Sequence, residues 1–206
     1  RRSSDLAESV ALGAQVADVE QRIGLGRHGA VAVLPLGADV VDLGGVEVVA
    51  DELVDGERAS STRLRALLDA GEVEQVARIL GRYHVTEGMV VHGRKIGRSI
   101  GFPTANLSRD SQGYLPLDGV YAGWLHADGE RYPAALSVGI NDTFEAVPRL
   151  LEAHVLDRDD LDLYDKVVKI EYVGFVRPSK KFDGLESLIT AINQDIAKIR
   201  TILDVA

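Results

Sequence analysis

The sequence predicts an α+β protein in which a β-rich region lies between helical segments. Five stretches rich in β-branched and apolar residues occur between residues 84 and 176, separated by turn signals, a pattern typical of a sandwich or barrel. A long apolar stripe at helical spacing follows them, and a Leu-rich helical pattern precedes them at 62–80. Upstream of residue 62, short strand candidates and a helix candidate indicate a small α/β segment.

The β-rich region contains predicted strands at 84–91, 119–126, 131–139, 151–157 and 166–176. Asp128 and Gly129 both tolerate positive φ, so they predict a tight hairpin between the second and third of these strands. The final helix is predicted by apolar residues that share one helical face: Leu185, Leu188, Ile189, Ile192, Ile196, Ile199 and Leu203. This stripe indicates core packing rather than a ligand surface.

We divide the chain into an α/β segment at 1–81 and a β-rich domain at 82–206. The first contains a predicted helix at 5–23 and strand candidates at 30–34 and 46–49. At 60–63, Ser and Thr residues before a Leu-rich run predict an N-cap, and this needs no ligand. Asp69 has capping-box spacing to Glu72, which predicts a second helix start, and Gly81 predicts its end.

The composition excludes several classes of protein. The formal net charge of −9 argues against a general nucleic-acid or membrane-surface binder, which would need a basic face. The chain contains no cysteine, which excludes disulfides and thiolate metal sites and fits a cytoplasmic protein. No apolar run is long enough for a membrane span. The sequence lacks an initiator Met, as a fragment or a processed product would.

A glycine-rich stretch is the first candidate site. The stretch has three glycines spaced four residues apart, at Gly93, Gly97 and Gly101. A Phe-Pro step follows the last of them. Thr104 and Asn106 follow two residues apart, so on an extended backbone they direct two neutral oxygens to the same side. Positive charge is supplied by Arg94, Lys95 and Arg98. The stretch fits either a site for a magnesium-bound polyphosphate or a glycine-rich barrel turn. It is neither a P-loop nor a set of protein-kinase motifs.

Two further candidates have equally plain structural readings. Glu152 alternates with apolar residues in the predicted strand 151–157, so it is either a general base or a solvated strand residue, and the pattern alone favours the second. His154 shares its face, and we interpret it as structural. The basic loop 177–183 could close over an anionic or planar ligand, or Phe182 could simply fix the start of the last helix.

Taken together, these residues resemble a known family. Residues 92–107 resemble the signature of riboflavin kinases, in which Gly-Phe-Pro-Thr-Ala-Asn is highly specific. Further matches follow in the family's order at 118–123, 137–139, 152, 156–157, 162–164, 177 and 181–182. The resemblance covers residues 83 to about 200.

The resemblance implies a six-stranded antiparallel Greek-key barrel with a C-terminal helix. It also implies Mg²⁺-dependent transfer of the ATP γ-phosphate to the ribityl 5′-hydroxyl of riboflavin, giving FMN. In this comparison Glu152 matches the catalytic base, and Thr104 and Asn106 lie at the metal and phosphates. The other expected nucleotide-binding residues are Gly93, Lys95, Gly97, Arg98, Gly101 and Pro103. Arg177 and Phe182 are expected at the flavin.

The N-terminal segment is similar to the end of the FMN adenylyltransferase module of bacterial FAD synthetases, at 45–49, 60–65 and 80–82. That module opens with a stretch containing paired histidines, whereas His28 is the single His among the first 80 residues. We therefore expect a shortened remnant that makes no FAD. Two alternatives stay open: an incomplete bifunctional FAD synthetase that also adenylylates FMN, or a flavin- or nucleotide-binding module without turnover. The chain also departs from the kinase pattern at Asp142, where Pro is usual, and at Asp165, where Gly is common.

Overall fold

The computed structural model describes residues 53–54, 56–93, 96–139 and 149–205. The predicted helix at 5–23 and the strand candidates at 30–34 and 46–49 lie outside these residues. Asp142 also lies outside them. Asp165 is described, and its φ of 60° is in the left-handed region, which explains why this position suits Gly.

The β-rich domain is a closed barrel of six antiparallel strands, preceded by a short two-stranded ribbon. The ribbon pairs β1 (Leu53–Val54) with β2 (Glu57–Arg58). The barrel strands are β3 (His84–Val91), β4 (Ala105–Leu107), β5 (Gly119–Ala127), β6 (Glu130–Gly139), β7 (Leu150–Val155) and β8 (Val167–Pro178). Their order around the barrel is β3-β4-β7-β6-β5-β8, and β8 closes it by pairing with β3.

The strand order has Greek-key topology. Strands β5, β6 and β7 follow one another as neighbours, while β4 crosses over to pair with β7. The predicted hairpin between β5 and β6 is confirmed, because Asp128 and Gly129 have φ of 53° and 82°. The expected six-stranded barrel with a C-terminal helix is therefore confirmed.

Alternate residues of the strands fill the barrel with a continuous apolar core. Tyr121, Leu125, Leu136 and Ile170 are fully buried within it. Tyr172 is also buried and its hydroxyl lies 3.2 Å from the Thr86 hydroxyl, which satisfies both polar groups. Burial raises the pKa of Tyr172, so its hydroxyl stays protonated. The outward residues of each strand are left to form surfaces and sites.

The helices pack around this barrel. They are α1 (Ser61–Asp69), α2 (Val73–Leu80), the short α3 (Ile96–Ser99) and the C-terminal α4 (Leu185–Leu203). The predicted N-cap of α1 is confirmed, since Ser60 Oγ accepts a hydrogen bond from the Arg63 amide. Gly81 ends α2 with a left-handed φ of 64°, as predicted.

The prediction of a capping box at Asp69 is wrong. The N-cap of α2 is Glu72, which makes no side-chain capping bond. Asp69 instead ends α1 and accepts a hydrogen bond of 2.8 Å from the Tyr114 hydroxyl. The Asp69 carboxylate is therefore bound by Tyr114, which is distant in sequence, and does not cap the helix start as the local pattern predicted.

Helices α1 and α2 belong by packing to the same compact unit as the barrel. That unit spans Ser60–Ala206. The division of the chain at residue 81 stays a prediction. Leu68, Val73 and Val76 of these helices are buried in the barrel core cluster. The apolar face predicted for 62–80 is thus part of the domain it precedes. The assignment of 1–81 to an adenylyltransferase remnant stays a prediction.

Glu74 on α2 fastens this helix to strand β8. Its Oε1 accepts a hydrogen bond of 3.0 Å from the Phe175 amide, close to a register irregularity between β5 and β8. We expect Glu74→Ala to lower the free energy of unfolding by about 1 kcal/mol, because it removes the acceptor of this amide. Glu72→Ala is the control, since its carboxylate is exposed and accepts a hydrogen bond from Gln75 on the same helix. Equal denaturation midpoints for the two variants would refute this role.

Candidate active site

The glycine-rich stretch folds tightly against the residues that follow it. A Cβ at Gly93 would lie 2.6–2.8 Å from the carboxamide atoms of Asn106, and one at Gly97 would lie 2.3 Å from the Phe102 carbonyl oxygen. Both positions therefore require glycine for close approach. The glycines serve here to bring the chain against its own Phe-Pro-Thr-Ala-Asn element, which fixes the direction of Thr104 and Asn106.

A row of polar residues crosses three neighbouring strands. Asn106 of β4 is opposite Glu152 of β7, and Glu152 is opposite Ser137 of β6. Directly paired residues point to the same side of a sheet, so the row lies on the outer face of the barrel. The predicted alternation in β7 is confirmed: Leu151 and Ala153 are buried in the core, whereas Glu152 is half-buried on the other face.

Thr104 lies directly before β4 and contacts this row. Its hydroxyl donates to Glu152 Oε2 at 3.3 Å, although the two residues are 48 positions apart. The Asn106 amide nitrogen lies 3.3 Å from the Thr104 carbonyl oxygen and 3.4 Å from its hydroxyl. A carboxylate, a hydroxyl and a carboxamide therefore meet at one place.

His154 supports the same place from the next outward position of β7. Its Nδ1 lies 2.8 Å from the Pro103 carbonyl oxygen, and its ring meets the Phe102 ring edge-on with centroids 5.6 Å apart. These contacts fix the Phe-Pro step that precedes Thr104. The structural interpretation of His154 agrees with this position.

Two cavities meet at Thr104. The smaller, of about 70 Å³, is lined by Gly93, Arg98, Pro103, Asn106 and Tyr164 among others. The larger is a cleft of about 390 Å³ whose wall includes Glu152, Arg177 and Phe182. Thr104 lines both. Thr104 is therefore common to the walls of both cavities, and Glu152 lies beside it in the wall of the cleft.

The cleft combines apolar walls with a basic rim. Its apolar lining includes Ile100, Phe102, Val120, Leu150, Leu188 and Ile192. Lys180 Nζ and the Arg177 guanidinium carbon lie 5.0 and 5.5 Å from the centroid of the Phe182 ring. Such distances are within cation–π range. The end of β8 and the loop after it thus add an aromatic ring and two cations to one side of the cleft.

Most of the predicted site residues are brought together. The small cavity is lined by Gly93, Arg98, Pro103, Thr104 and Asn106, and the cleft by Gly97, Thr104, Glu152, Arg177 and Phe182. Gly101 lines neither; its φ of 91° shapes the turn before Phe102. Lys95 lies outside the described residues.

Sequence reasoning missed Asp195, which also lines the cleft. It lies between Ile192 and Ile199 on the buried face of α4, where an apolar residue is expected. A charged residue on that stripe was the available signal.

The sequence matches the riboflavin kinase (flavokinase) family over residues 80–203. The chain belongs to the riboflavin kinase family. It is 36% identical over 122 residues to the riboflavin kinase of Mus musculus, a match that covers 57% of this chain and 79% of the mouse protein. The family's match begins at the end of α2 and ends with α4, so it includes the whole barrel.

Members of the riboflavin kinase family with two activities are also similar to this chain. The bifunctional riboflavin kinase/FMN adenylyltransferase of Listeria monocytogenes is 36% identical over 151 residues, covering 73% of this chain and 48% of that protein. The chain spans about half the length of the bifunctional relatives it matches. A crystal structure described as a macrolide-efflux protein from Streptococcus pneumoniae superposes with a TM-score of 0.68 at 34% identity, covering 75% of this chain and 51% of that one.

Two features are absent from the residues that the structure describes. No group of three or more His, Cys, Asp or Glu side chains in this part of the chain is arranged to hold a metal ion. None of the helices that the structure describes is both long and apolar enough to cross a membrane.

Proposed function

We propose that this chain is a riboflavin kinase that transfers the ATP γ-phosphate to the ribityl 5′-hydroxyl of riboflavin, giving FMN and ADP. The observation that carries the proposal is the contact between Thr104 and Glu152 at the junction of two cavities. Membership of the riboflavin kinase family supports the same reaction. A transfer reaction needs two adjoining sites with the reactive groups at their boundary, and this arrangement supplies them.

The small cavity suits the nucleotide phosphates. Arg98 lines it and is exposed, so its guanidinium can bind phosphate oxygens while it stays partly hydrated. Gly93 lines the same cavity, and because it has no side chain its backbone can lie close to a phosphate there. We assign Gly97 and Gly101 to shaping this loop, and Lys95 to a phosphate contact as the sequence predicts.

The cleft suits the flavin. Its volume of about 390 Å³ lies within the range of small-molecule sites, and its apolar walls fit a planar ring system. Phe182 and Arg177 stand on one side of it, and both are planar groups that can stack. With the ring in the cleft, the ribityl chain can extend towards Glu152 and Thr104.

Glu152 is placed to act on the hydroxyl that attacks. An alcohol is a weak nucleophile, so a carboxylate within hydrogen-bond reach accelerates its reaction by accepting the proton. Glu152 Oε2 already accepts a hydrogen bond from one hydroxyl, that of Thr104. The same carboxylate can accept one from the ribityl 5′-hydroxyl, while Thr104 holds the carboxylate in position. The 5′-oxygen then bonds to the γ-phosphorus as the bond to the ADP oxygen breaks.

The residues at the junction fit Mg²⁺ bound with ATP. Mg²⁺ prefers oxygen ligands and leaves much of its shell to waters and nucleotide phosphates, so few protein ligands are needed. Thr104 offers its hydroxyl oxygen, and Asn106 offers its carboxamide oxygen once the amide turns by 180° about its last bond. When bound, the ion would neutralise charge on the phosphates.

The proposal is tested by incubating the full chain with riboflavin, ATP and Mg²⁺ and separating the flavins by chromatography. We expect FMN to accumulate with multiple turnovers and to disappear when EDTA replaces the metal. A folded protein that forms no FMN at saturating ATP and Mg²⁺ would overturn the proposal. Riboflavin binding without conversion would favour a binding module that has lost turnover.

The same chromatogram tests the bifunctional alternative. The match to the Listeria protein extends over 151 residues, more than the 124 that lie between 80 and 203 inclusive, which supports a link to the adenylyltransferase module. We expect FMN and no FAD, because the paired histidines of that module are absent from this sequence. An FAD peak with release of pyrophosphate would contradict this. The cytoplasmic location and the lack of a nucleic-acid partner stay predictions.

A further inference from the structure

Asp195 is a carboxylate buried where the fold expects an apolar side chain. The residue is 5% exposed, and it is the one charged residue counted as buried in the part of the chain that the structure describes. It lies on the inner face of α4 in line with Ala191 and Ile199, which are also buried. A buried charge is strongly destabilising unless it is paired and hydrogen-bonded. Its retention at this place therefore requires a specific partner.

That partner is Arg177, at the end of β8. Its Nε donates to both Asp195 carboxylate oxygens at 3.0 and 2.9 Å, and its Nη2 lies 2.7 Å from Oδ2. Nη1 donates to the Pro178 carbonyl oxygen at 3.0 Å. The guanidinium is thus held along two of its edges. Within the described residues, one N–H on each terminal nitrogen donates to no protein acceptor and is available to a ligand.

Both members of this pair line the flavin cleft. An arginine on an unrestrained stem samples many rotamers, and fixing it when a ligand binds reduces affinity. Asp195 fixes it beforehand, and with it the position of the guanidinium beside the Phe182 ring. We propose that Asp195 is a positioning residue for flavin binding, acting through Arg177; this rests on the proposed function.

A second ion pair on the same helix provides a matched control. Arg200 Nη2 lies 2.6 and 2.7 Å from the two Asp157 carboxylate oxygens, so this pair also ties α4 to the barrel. Neither Arg200 nor Asp157 lines the cleft. Asp157 has a φ of 57°, which Asn tolerates well, so Asp157→Asn removes the charge without new strain. If ion pairs merely fastened α4, the two Asp→Asn variants would have the same effect on flavin binding.

The experiment measures riboflavin affinity by quenching of flavin fluorescence, and steady-state FMN formation, in the full chain. We expect Asp195→Asn to raise the Kd and KM for riboflavin about tenfold, because the Arg177 side chain must then be immobilised when the ligand binds. The kcat and the KM for ATP should change little. Asp157→Asn should leave the riboflavin Kd unchanged. Arg177→Ala should raise the riboflavin Kd at least as much, because it removes the guanidinium itself. Asp195→Asn should add no further loss of affinity in the Arg177→Ala background, since Asp195 acts through that guanidinium.

Each outcome supports or overturns the positioning role of Asp195. An unchanged riboflavin Kd in folded Asp195→Asn, with normal binding by the wild type, would overturn the positioning role alone. A wild-type chain that neither binds nor phosphorylates riboflavin would overturn the proposed function and this role together. If Asp195→Asn fails to fold, Asp195→Glu takes its place, since it retains the charge but its longer side chain moves the carboxylate oxygens from their places at 2.7–3.0 Å from the guanidinium nitrogens. The same tenfold rise in Kd would support the role, and an unchanged Kd would overturn it.

Discussion

Glu152→Gln is expected to reduce the turnover of riboflavin by roughly 10²- to 10⁴-fold, the usual contribution of a general base. Gln has nearly the same size and can still accept the hydrogen bond that the Thr104 hydroxyl donates at 3.3 Å. It cannot take a proton from the ribityl 5′-hydroxyl. The loss should therefore fall on kcat, while the affinity for Mg-ATP and the thermal midpoint stay close to those of the wild type. Single-turnover FMN formation checks this directly.

The control for this variant is Glu87→Gln on β3. Glu87 is an exposed carboxylate on another strand of the same barrel, so it matches the change in charge without touching either cavity. We expect Glu87→Gln to retain full turnover. If Glu152→Gln also retained near-normal turnover, Glu152 would be a half-buried strand residue only, which is the reading that its pattern alone favours.

The strands that carry the site were predictable where alternation is local. Strand β3 has the predicted bounds, and β5 and β6 differ from prediction by one residue at one end. The orientation of Glu152 followed from the period of two in β7. These features depend on the side chains of neighbouring residues, so a single sequence contains them.

The short elements were not predictable in the same way. Strand β4 has three residues and α3 has four, too few to show a period. Their backbone is held by contacts made elsewhere: β4 pairs with β7, and the turn after α3 closes on Gly97 through the Phe102 amide, which donates to its carbonyl oxygen. These contacts set the position of Thr104. The sequence pattern therefore could not predict that Thr104 lies beside Glu152, and only the family resemblance indicated that both belong to one site.

Asp195 shows the same limit for a charged residue. Its place on an apolar stripe was visible in the sequence, but its partner was not, since Arg177 is 18 positions away and reaches it across the end of β8. A pattern can indicate that a buried charge needs a partner; the fold decides which residue provides it.

Gly93→Ala is expected to imitate the loss of Asn106. The new methyl group would lie 2.6–2.8 Å from three carboxamide atoms of Asn106, so the amide must turn or shift. If Asn106 serves the metal and phosphates, displacing it should weaken Mg-ATP binding by about 10- to 100-fold, the usual cost of disturbing the groups that orient a metal ligand. Titration with Mg²⁺ at fixed ATP, followed by FMN formation, measures the change.

Two variants make the Gly93 result specific. Gly88→Ala introduces a similar clash, with Cβ 2.5 Å from the Ser111 Cβ, but on β3 away from both cavities. It should lower stability through crowding and leave the Mg²⁺ requirement unchanged. In a background of Asn106→Ala the extra methyl group at Gly93 has no carboxamide to displace, so the double variant should bind Mg-ATP no worse than Asn106→Ala alone. Additive losses in that double variant would mean that Gly93 contacts the nucleotide directly and that Asn106 does not transmit its effect.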